Sequence, residues 1–359
     1  MSHARFAVIC PAFNRSSRIV PTIESVLSQE HTDLVMLVGS DGSSDDTDDV
    51  VAEMARNDNR LWLRRFDHTG DPGTIRNLLC REVQSEYVAY LDHDDLWDPA
   101  HLELLGAALD RGEDVVASGG LYRQEDRLVR AVLGQDLLWH PDLSIVDPYC
   151  EPSRVAHRAS ILDVVGGWAA AGAGLEDWDL WWRFTEHGFS FQPVDAATAE
   201  VAMSPGSRRN RLRYRMVMPL AESGEVAAAT AAAEDMATVM AEGITSDLER
   251  WSSEVVEDPQ TRFALEVCST REKPPFLLDA KTRQNAHGDG QPGTALTVCV
   301  FPGGRKGWLV GVAAPYVNRN HGRRIAEVLT SRFGTTLKTL TASLQERLAA
   351  AAEPVGINN

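Results

Sequence analysis

The stretch YVAYLDHDDLWDP, residues 87–99, decides the reading of the fold. An apolar run ends abruptly in three carboxylates, Asp92, Asp94 and Asp95, followed by a tryptophan and a proline. A short apolar run of this kind reads as a buried strand. Carboxylates crowded at its end repel one another unless a cation or a solvated turn relieves them.

The segments before it follow the same rhythm. RFAVIC (5–10) and LVMLVG (34–39) read as buried strands, and LWLRRF (61–66) as a third. Pro11 is expected to end the first strand, because proline donates no ladder hydrogen bond. Ile19, Val20, Ile23, Val26 and Leu27 recur at helical spacing, as do Val50, Val51, Met54 and Ala55, and Ile75, Leu78, Leu79 and Val83. A further helix over about 99–110 leads to VVASG. Alternating strands and helices with short links predict an α/β fold with a mostly parallel sheet covered on both faces. Ligands of such sheets gather beyond the carboxyl ends of the strands. Asp41 and the acidic cluster both fall at such ends.

From about residue 216 the texture changes. GEVAAATAAAEDMATVMAEGI (224–244) predicts a helix, and RFALEVC, ALTVCVF and GWLVGVAA predict strands, with antiparallel pairing plausible. HGRRIAEVLTSRF and TTLKTLTASLQERLAA predict two closing helices, and EPVGINN a frayed end. We expect two domains, 1–215 and a smaller α/β or α+β domain over 216–359, with the boundary inside 211–250.

Composition limits the classes of function. The 359 residues are 43% hydrophobic and 24% charged, as expected of a globular chain. No run of eighteen apolar residues predicts a membrane span, and the opening MSHARFAVIC does not read as a signal peptide. The five cysteines form no close pair, which predicts reduced thiols in a cytoplasmic protein. A formal charge of −17 argues against nucleic acid as a partner. It also draws attention to the basic run RRNRLRYR (208–215), which could meet phosphate or form a solvated hinge.

Asp92, Asp94 and Asp95 could surround Mg²⁺ or Mn²⁺, which prefer oxygen ligands and often take only one or two protein carboxylates. Spacing alone leaves a solvated, capping turn equally open. A second acidic site lies in GLEDWDLWWRF (174–184), where Glu176, Asp177 and Asp179 open a predicted helix among Trp178, Trp181 and Trp182. A carboxylate there could be tuned as a base, and the rings could offer a sugar platform or simply pack. DGSSDDTDD lacks the glycine and terminal glutamate of a calcium loop, and FPGGRKGW lacks a full P-loop. GxGxxG after the first strand, HExxH and GxSxG are also missing.

Five stretches, taken together and in order, resemble family 2 glycosyltransferases with the GT-A fold. They are VICPAFNR (8–15), VGSDGSSDDT (38–47), GTIRN (73–77), YVAYLDHDDLW (87–97) and LEDWDLWWRF (175–184). The resemblance covers about residues 5–210. It implies transfer of a sugar from a nucleotide-diphosphate donor to an acceptor hydroxyl, with inversion; UDP-sugars are favoured, and dTDP- or GDP-sugars are possible. It implies that Pro11, Phe13 and Asn14 form the first nucleotide loop and that Asp41 contacts the base. Arg76 and Asn77 would flank the nucleotide. Asp92 and Asp94 would form the D-x-D that meets the ribose and the diphosphate-bound metal, Mn²⁺ or Mg²⁺, with Asp95 following. Asp177 matches the general base, with Glu176 beside it; the choice between the two stays open. Arg208 or Arg209 would add charge stabilisation.

One departure from the family's pattern is that VAMSPGSRRN carries no histidine where many relatives place one near the metal. The acceptor could be a small molecule, a glycan, a lipid-linked sugar or a protein, and single addition is favoured over processive synthesis. The C-terminal domain could shape the acceptor pocket or an oligomer contact. The alternatives are a noncatalytic nucleotide-sugar-binding module and a sugar nucleotidylyltransferase; PAFNRSSR is a poor version of the loop that the latter needs.

Overall fold

A computed structural model describes residues 3–125, 127–133, 150–169, 176–203, 215–239, 266–269, 297–315 and 319–352. The chain separates into two compact units, Met1–Ser144 with Pro148–Ser207, and Ile145–Asp147 with Arg208–Asn359.

The first unit opens with β1 (His3–Ala12), α1 (Ile19–Leu27), β2 (Leu34–Asp41), α2 (Thr47–Asn57), β3 (Leu61–Phe66), α3 (Pro72–Cys80) and β4 (Gln84–Tyr90). It continues through β5 (Leu96–Trp97), α4 (His101–Asp110), β6 (Val115–Gln124), β7 (Arg127–Val132) and β8 (Val155–Arg158). It closes with α5 (Ile161–Val165), α6 (Glu176–Glu186) and β9 (Phe191–Ala202). These strands form one sheet in the order β3-β2-β1-β4-β8-β6-β9-β5, with β7 paired to β6. Pairing is parallel from β3 to β4 and again between β6 and β9, while β8 runs antiparallel between β4 and β6. The result is a GT-A-like α/β core.

Side-chain alternation explains why the parallel strands read as unbroken apolar runs. Ala7 and Ile9 of β1, Val35 and Leu37 of β2, and Val88 and Tyr90 of β4 enter one apolar layer, with Ile75 and Leu79 of α3 and Leu180, Trp181 and Phe184 of α6. Phe6, Val8 and Cys10, then Leu34, Met36 and Val38, enter the opposite layer with α1, α2 and α4. Both faces are buried, so every position is apolar.

Two details of this unit depart from expectation. Pro11 does not end β1, which runs on to Ala12 with Pro11 opposite Gly39. The β1–β4 ladder stops at Ile9–Tyr90, and the Pro11 carbonyl faces the His93 ring beyond it, so the missing N–H costs no ladder bond. The third helix also ends earlier than its apolar spacing suggested, at Cys80, because Gln84 already pairs with His3 as β4 begins.

The second unit contains β10 (Arg215–Ser223), a helix α7 over 226–239, β11 (Glu266–Ser269), β12 (Thr297–Pro302), β13 (Trp308–Pro315) and α8 (Arg319–Ala352). Its sheet runs β10-β13-β12-β11; only the β11–β12 pair is parallel. Strand β10 was not foreseen. The two expected closing helices are one helix of 34 residues. Ile325, Leu329, Phe333, Leu337, Leu344 and Leu348 form a continuous buried stripe across Gly334, which therefore does not break it.

Candidate active site

The candidate residues of the first unit gather at the carboxyl ends of β1, β2 and β4. After β1, Asn14 takes a left-handed backbone (φ 51°), which asparagine tolerates. Its Oδ1 accepts from Ser44 N at 2.8 Å, and its own N–H donates to Ser43 Oγ at 3.1 Å. These bonds tie the first loop to the loop after β2. Phe13 is 38% exposed and stacks on His68, with ring centroids 4.4 Å apart. The buried Asp41 accepts from Thr69 N at 2.6 Å and Gly70 N at 2.9 Å, while His68 Nδ1 lies 2.8 Å from the Asp41 carbonyl. Phe13, Asp41 and His68 thus lie together at this end of the sheet. His68 had no signal in the sequence beyond being a lone histidine after a strand.

Helix α3 brings Arg76 to the same end. Asp71 caps it by accepting from Gly73 N and Thr74 N, and Pro72 stands in the first turn, where its missing N–H is harmless. Gly39 lets the helix lie close on the sheet: a Cβ there would sit 2.5 Å from Ile75 Cγ2. Arg76 is 2% exposed. Its Nη2 donates to Asp92 Oδ1 at 2.6 Å, its Nη1 lies 3.8 Å from Glu176 Oε1, and its guanidinium stacks 4.3 Å over the Trp168 ring. Burial opposes its charge, but Asp92, Glu176 and Asp177 outweigh burial and hold its pKa above the ordinary value. This one cation joins the two acidic stretches. Asn77 is placed differently: its Nδ2 donates to Trp168 O at 2.6 Å and its Oδ1 accepts from Trp168 N at 2.8 Å. Where the resemblance led us to expect a nucleotide-side polar group, both ends of the amide clamp a backbone segment.

The acidic turn after β4 sorts its members by burial. Asp92 is half-buried and paired with Arg76. His93 is turned toward β1, with Nδ1 3.1 Å from Pro11 O; burial lowers its pKa, against the pull of Asp94. Asp94 is half-buried and has no hydrogen-bond partner among the described residues. Asp95 is 3% exposed: one oxygen accepts from Ser153 Oγ, the other from Ala202 N at 2.7 Å. Burial, then the Asp92 and Asp94 charges, push its carboxyl well above the usual range. Asp95 was expected among the metal ligands, yet both of its oxygens face these interior partners.

Helix α6 carries Glu176 and Asp177 in its first turn, both buried. Carboxylates there are favoured by the helix dipole. Asp179 forms an ion pair with Arg183 (2.8 Å). Trp178 and Trp181 have no exposed surface, and Trp182 is buried as well. Trp181 donates to the Cys150 carbonyl at 2.9 Å. The tryptophans are core, not an exposed sugar platform.

Among the described residues, no cluster of three or more His, Cys, Asp and Glu side chains is arranged to hold a metal ion. The donor set fits a more modest site: Asp94 offers a carboxylate without a hydrogen-bond partner among the described residues, beside the anchored Asp92. A hard cation that draws its remaining ligands from phosphate and water needs no more than this. Arg208 and Arg209 lie outside the described residues. Among the described residues, no helix is long and apolar enough to cross a membrane.

The region that carries Arg76 and the acidic turn also matches a known family. Residues 7–161 match the family described as Glycosyl transferase family 2. The N-terminal region of the chain is a family 2 glycosyltransferase domain. It is 28% identical over 144 residues to the GalNAc(5)-diNAcBac-PP-undecaprenol beta-1,3-glucosyltransferase of Campylobacter jejuni, covering 40% of this chain and 47% of the relative. It is 30% identical over 91 residues to the UDP-Glc:alpha-D-GlcNAc-diphosphoundecaprenol beta-1,3-glucosyltransferase WfaP of Escherichia coli, covering 25% of this chain and 36% of the relative. The chain thus spans less than half the length of each. Among solved structures, S. aureus TarS 1-349 in complex with UDP-GlcNAc aligns with a TM-score of 0.46 and 21% identity, over 57% of this chain and 60% of that one.

Proposed function

We propose that the protein transfers a sugar, with inversion, from a UDP-sugar to an acceptor hydroxyl, and that Asp177 is the general base. The observation that carries this reading is the joining of Asp92 to Glu176 through the buried Arg76. It brings the donor-side carboxylates and the acids of α6 to one end of the sheet. UDP is favoured by the UDP-Glc donor of the Escherichia coli relative WfaP.

In this mechanism Phe13, Asp41 and His68 line the place for the base, and Asp92 faces the ribose. Asp94 would hold Mn²⁺ or Mg²⁺ against the donor diphosphate. When bound, the cation supplies neutralisation of charge on the departing nucleoside diphosphate. The acceptor oxygen attacks the anomeric carbon from the face opposite the leaving group. Asp177 takes the hydroxyl proton as the new C–O bond forms, and the diphosphate leaves with the electron pair of the old one. Glu176 lies 3.8 Å from Arg76 and is assigned to holding that cation, while Asp177 matches the family's base in the resemblance of its motif. Arg208 or Arg209 would add positive charge near the phosphates.

The absence of a close cysteine pair in the sequence favours a cytoplasmic setting, and the second unit is assigned to the acceptor or to contact with another copy. Incubation with a panel of nucleotide sugars, Mn²⁺ and hydroxyl acceptors tests the reading. Release of UDP together with a new glycoside of inverted configuration is the expected result; release of pyrophosphate, or binding without turnover for every acceptor, would overturn it.

A further inference from the structure

We propose that Asp95 and Ser153 form a buried pair that sets the shape of the Asp92–Asp94 turn, so that Asp95 serves the donor site as a positioning residue and not as a ligand of the cation. This rests on the glycosyltransfer reading above.

Ser153 lies in the short 3-10 turn Pro152–Arg154 and is fully buried. Its hydroxyl accepts from Asp92 N at 3.1 Å and donates to Asp95 Oδ2. The two ends of the acidic turn are therefore joined through one oxygen. The turn also closes on itself, with Asp95 N donating to Asp92 O at 3.1 Å. Asp95 extends the tie outward. Its other carboxylate oxygen takes the Ala202 N–H at the end of β9, and its carbonyl takes the Thr22 hydroxyl of α1 at 2.9 Å. Trp97 Nε1 holds the Ser153 carbonyl at 2.7 Å.

A cation ligand must turn a lone pair toward solvent or substrate. Asp94 can do so, because it is half-buried and makes no hydrogen bond among the described residues. Asp95 points both oxygens at partners inside the protein. Partners that orient a ligand without touching the metal commonly account for 10- to 100-fold in metal affinity. Asp95 and Ser153 occupy that relation to Asp92 and Asp94.

The test compares wild type with Ser153→Ala, Ser153→Thr, Asp95→Asn and Asp94→Asn. Calorimetry measures Mn²⁺–UDP binding, the electron paramagnetic resonance of bound Mn²⁺ reports coordination, and thermal melting reports folding. Ser153→Ala and Asp95→Asn are expected to weaken Mn²⁺–UDP binding about tenfold, with KM raised more than kcat is lowered. Their Mn²⁺ spectrum stays that of wild type, Ser153→Thr recovers most of the affinity, and Asp94→Asn changes the spectrum. Lowered melting with wild-type Mn²⁺–UDP affinity would overturn the proposal, as would an Asp95→Asn spectrum matching that of Asp94→Asn. A wild-type protein that takes up no Mn²⁺–UDP would overturn the glycosyltransfer reading and this proposal with it. Wild-type uptake with an unaffected Ser153→Ala variant would overturn this one alone.

Discussion

Arg76 Nη2 lies 2.6 Å from Asp92 Oδ1, with the arginine almost wholly buried and stacked on Trp168. A buried cation whose partner is removed, or a buried acid whose cation is removed, is left without solvation. Breaking such a pair costs about 3–5 kcal/mol. Arg76→Ala is expected to lower stability by about 3 kcal/mol in urea unfolding. Arg76→Lys keeps the charge but loses the planar fork; it is expected to fold and to show weakened UDP binding by calorimetry.

Asp177 and Glu176 separate in kinetics. Asp177→Asn is expected to lower kcat by about 10²–10⁴, the usual worth of a positioned base, while UDP binding holds. Glu176→Gln weakens the contact to Arg76 and is expected to keep a measurable share of turnover. Steady-state assays on both variants decide it: the reverse order would assign the proton to Glu176.

Asp94 makes a metal prediction. Chelation with EDTA is expected to abolish turnover, and added Mn²⁺ to restore it. Asp94→Asn is expected to need more Mn²⁺ for half-maximal activity or to lose the response altogether. Activity that ignores both EDTA and this substitution would remove the cation from the mechanism.

Asn77 predicts a stability effect. Its amide meets both backbone polar groups of Trp168, a buried residue. Asn77→Ala leaves both without these partners, at about 1–3 kcal/mol for each unsatisfied group. Melting temperature is expected to fall by several degrees, more than for Asn77→Asp, which keeps the acceptor.

Low pH is expected to destabilise the first unit through two buried histidines. Burial lowers the His157 pKa from 6.5 to about 4 and that of His101 to about 3. Both are neutral in the folded chain at pH 7, while the unfolded chain binds protons first. The stabilising contribution is complete above about 6.5 and is lost as pH falls toward 4 and then 3. Each histidine removes at most about 1.4 kcal/mol per pH unit across its window. Melting curves from pH 7 to pH 4 check the direction; His157→Gln is expected to flatten the slope.

Much of this architecture was legible in the residues. Strands such as β2, buried at every position, announce themselves as apolar runs, and acids at strand ends stand out against them. Arg76, Asp92 and Glu176 were each nominated by their motifs, but not the ion pairs among them, because nothing in a linear motif says which charge meets which. The clamp made by Asn77 was not legible either, since its partner is a backbone segment 91 residues further on. Ser153 gave no signal at all: a lone serine before an arginine looks like any other. The closing helix was read as two segments on either side of Gly334, because the buried stripe that continues across it emerges only with the sheet beneath.

The acidic turn runs directly from β4 into the two-residue β5, whose Leu96 and Trp97 pair with Glu200 and Ala199 of β9. Both ends of the carboxylate-bearing segment are therefore built into the same sheet. Little ordering entropy remains to be lost when a nucleotide arrives, so binding free energy is not consumed in organising the receptor. Association at this edge is expected to behave as docking onto a preformed mould, with a fast on-rate and small backbone displacement.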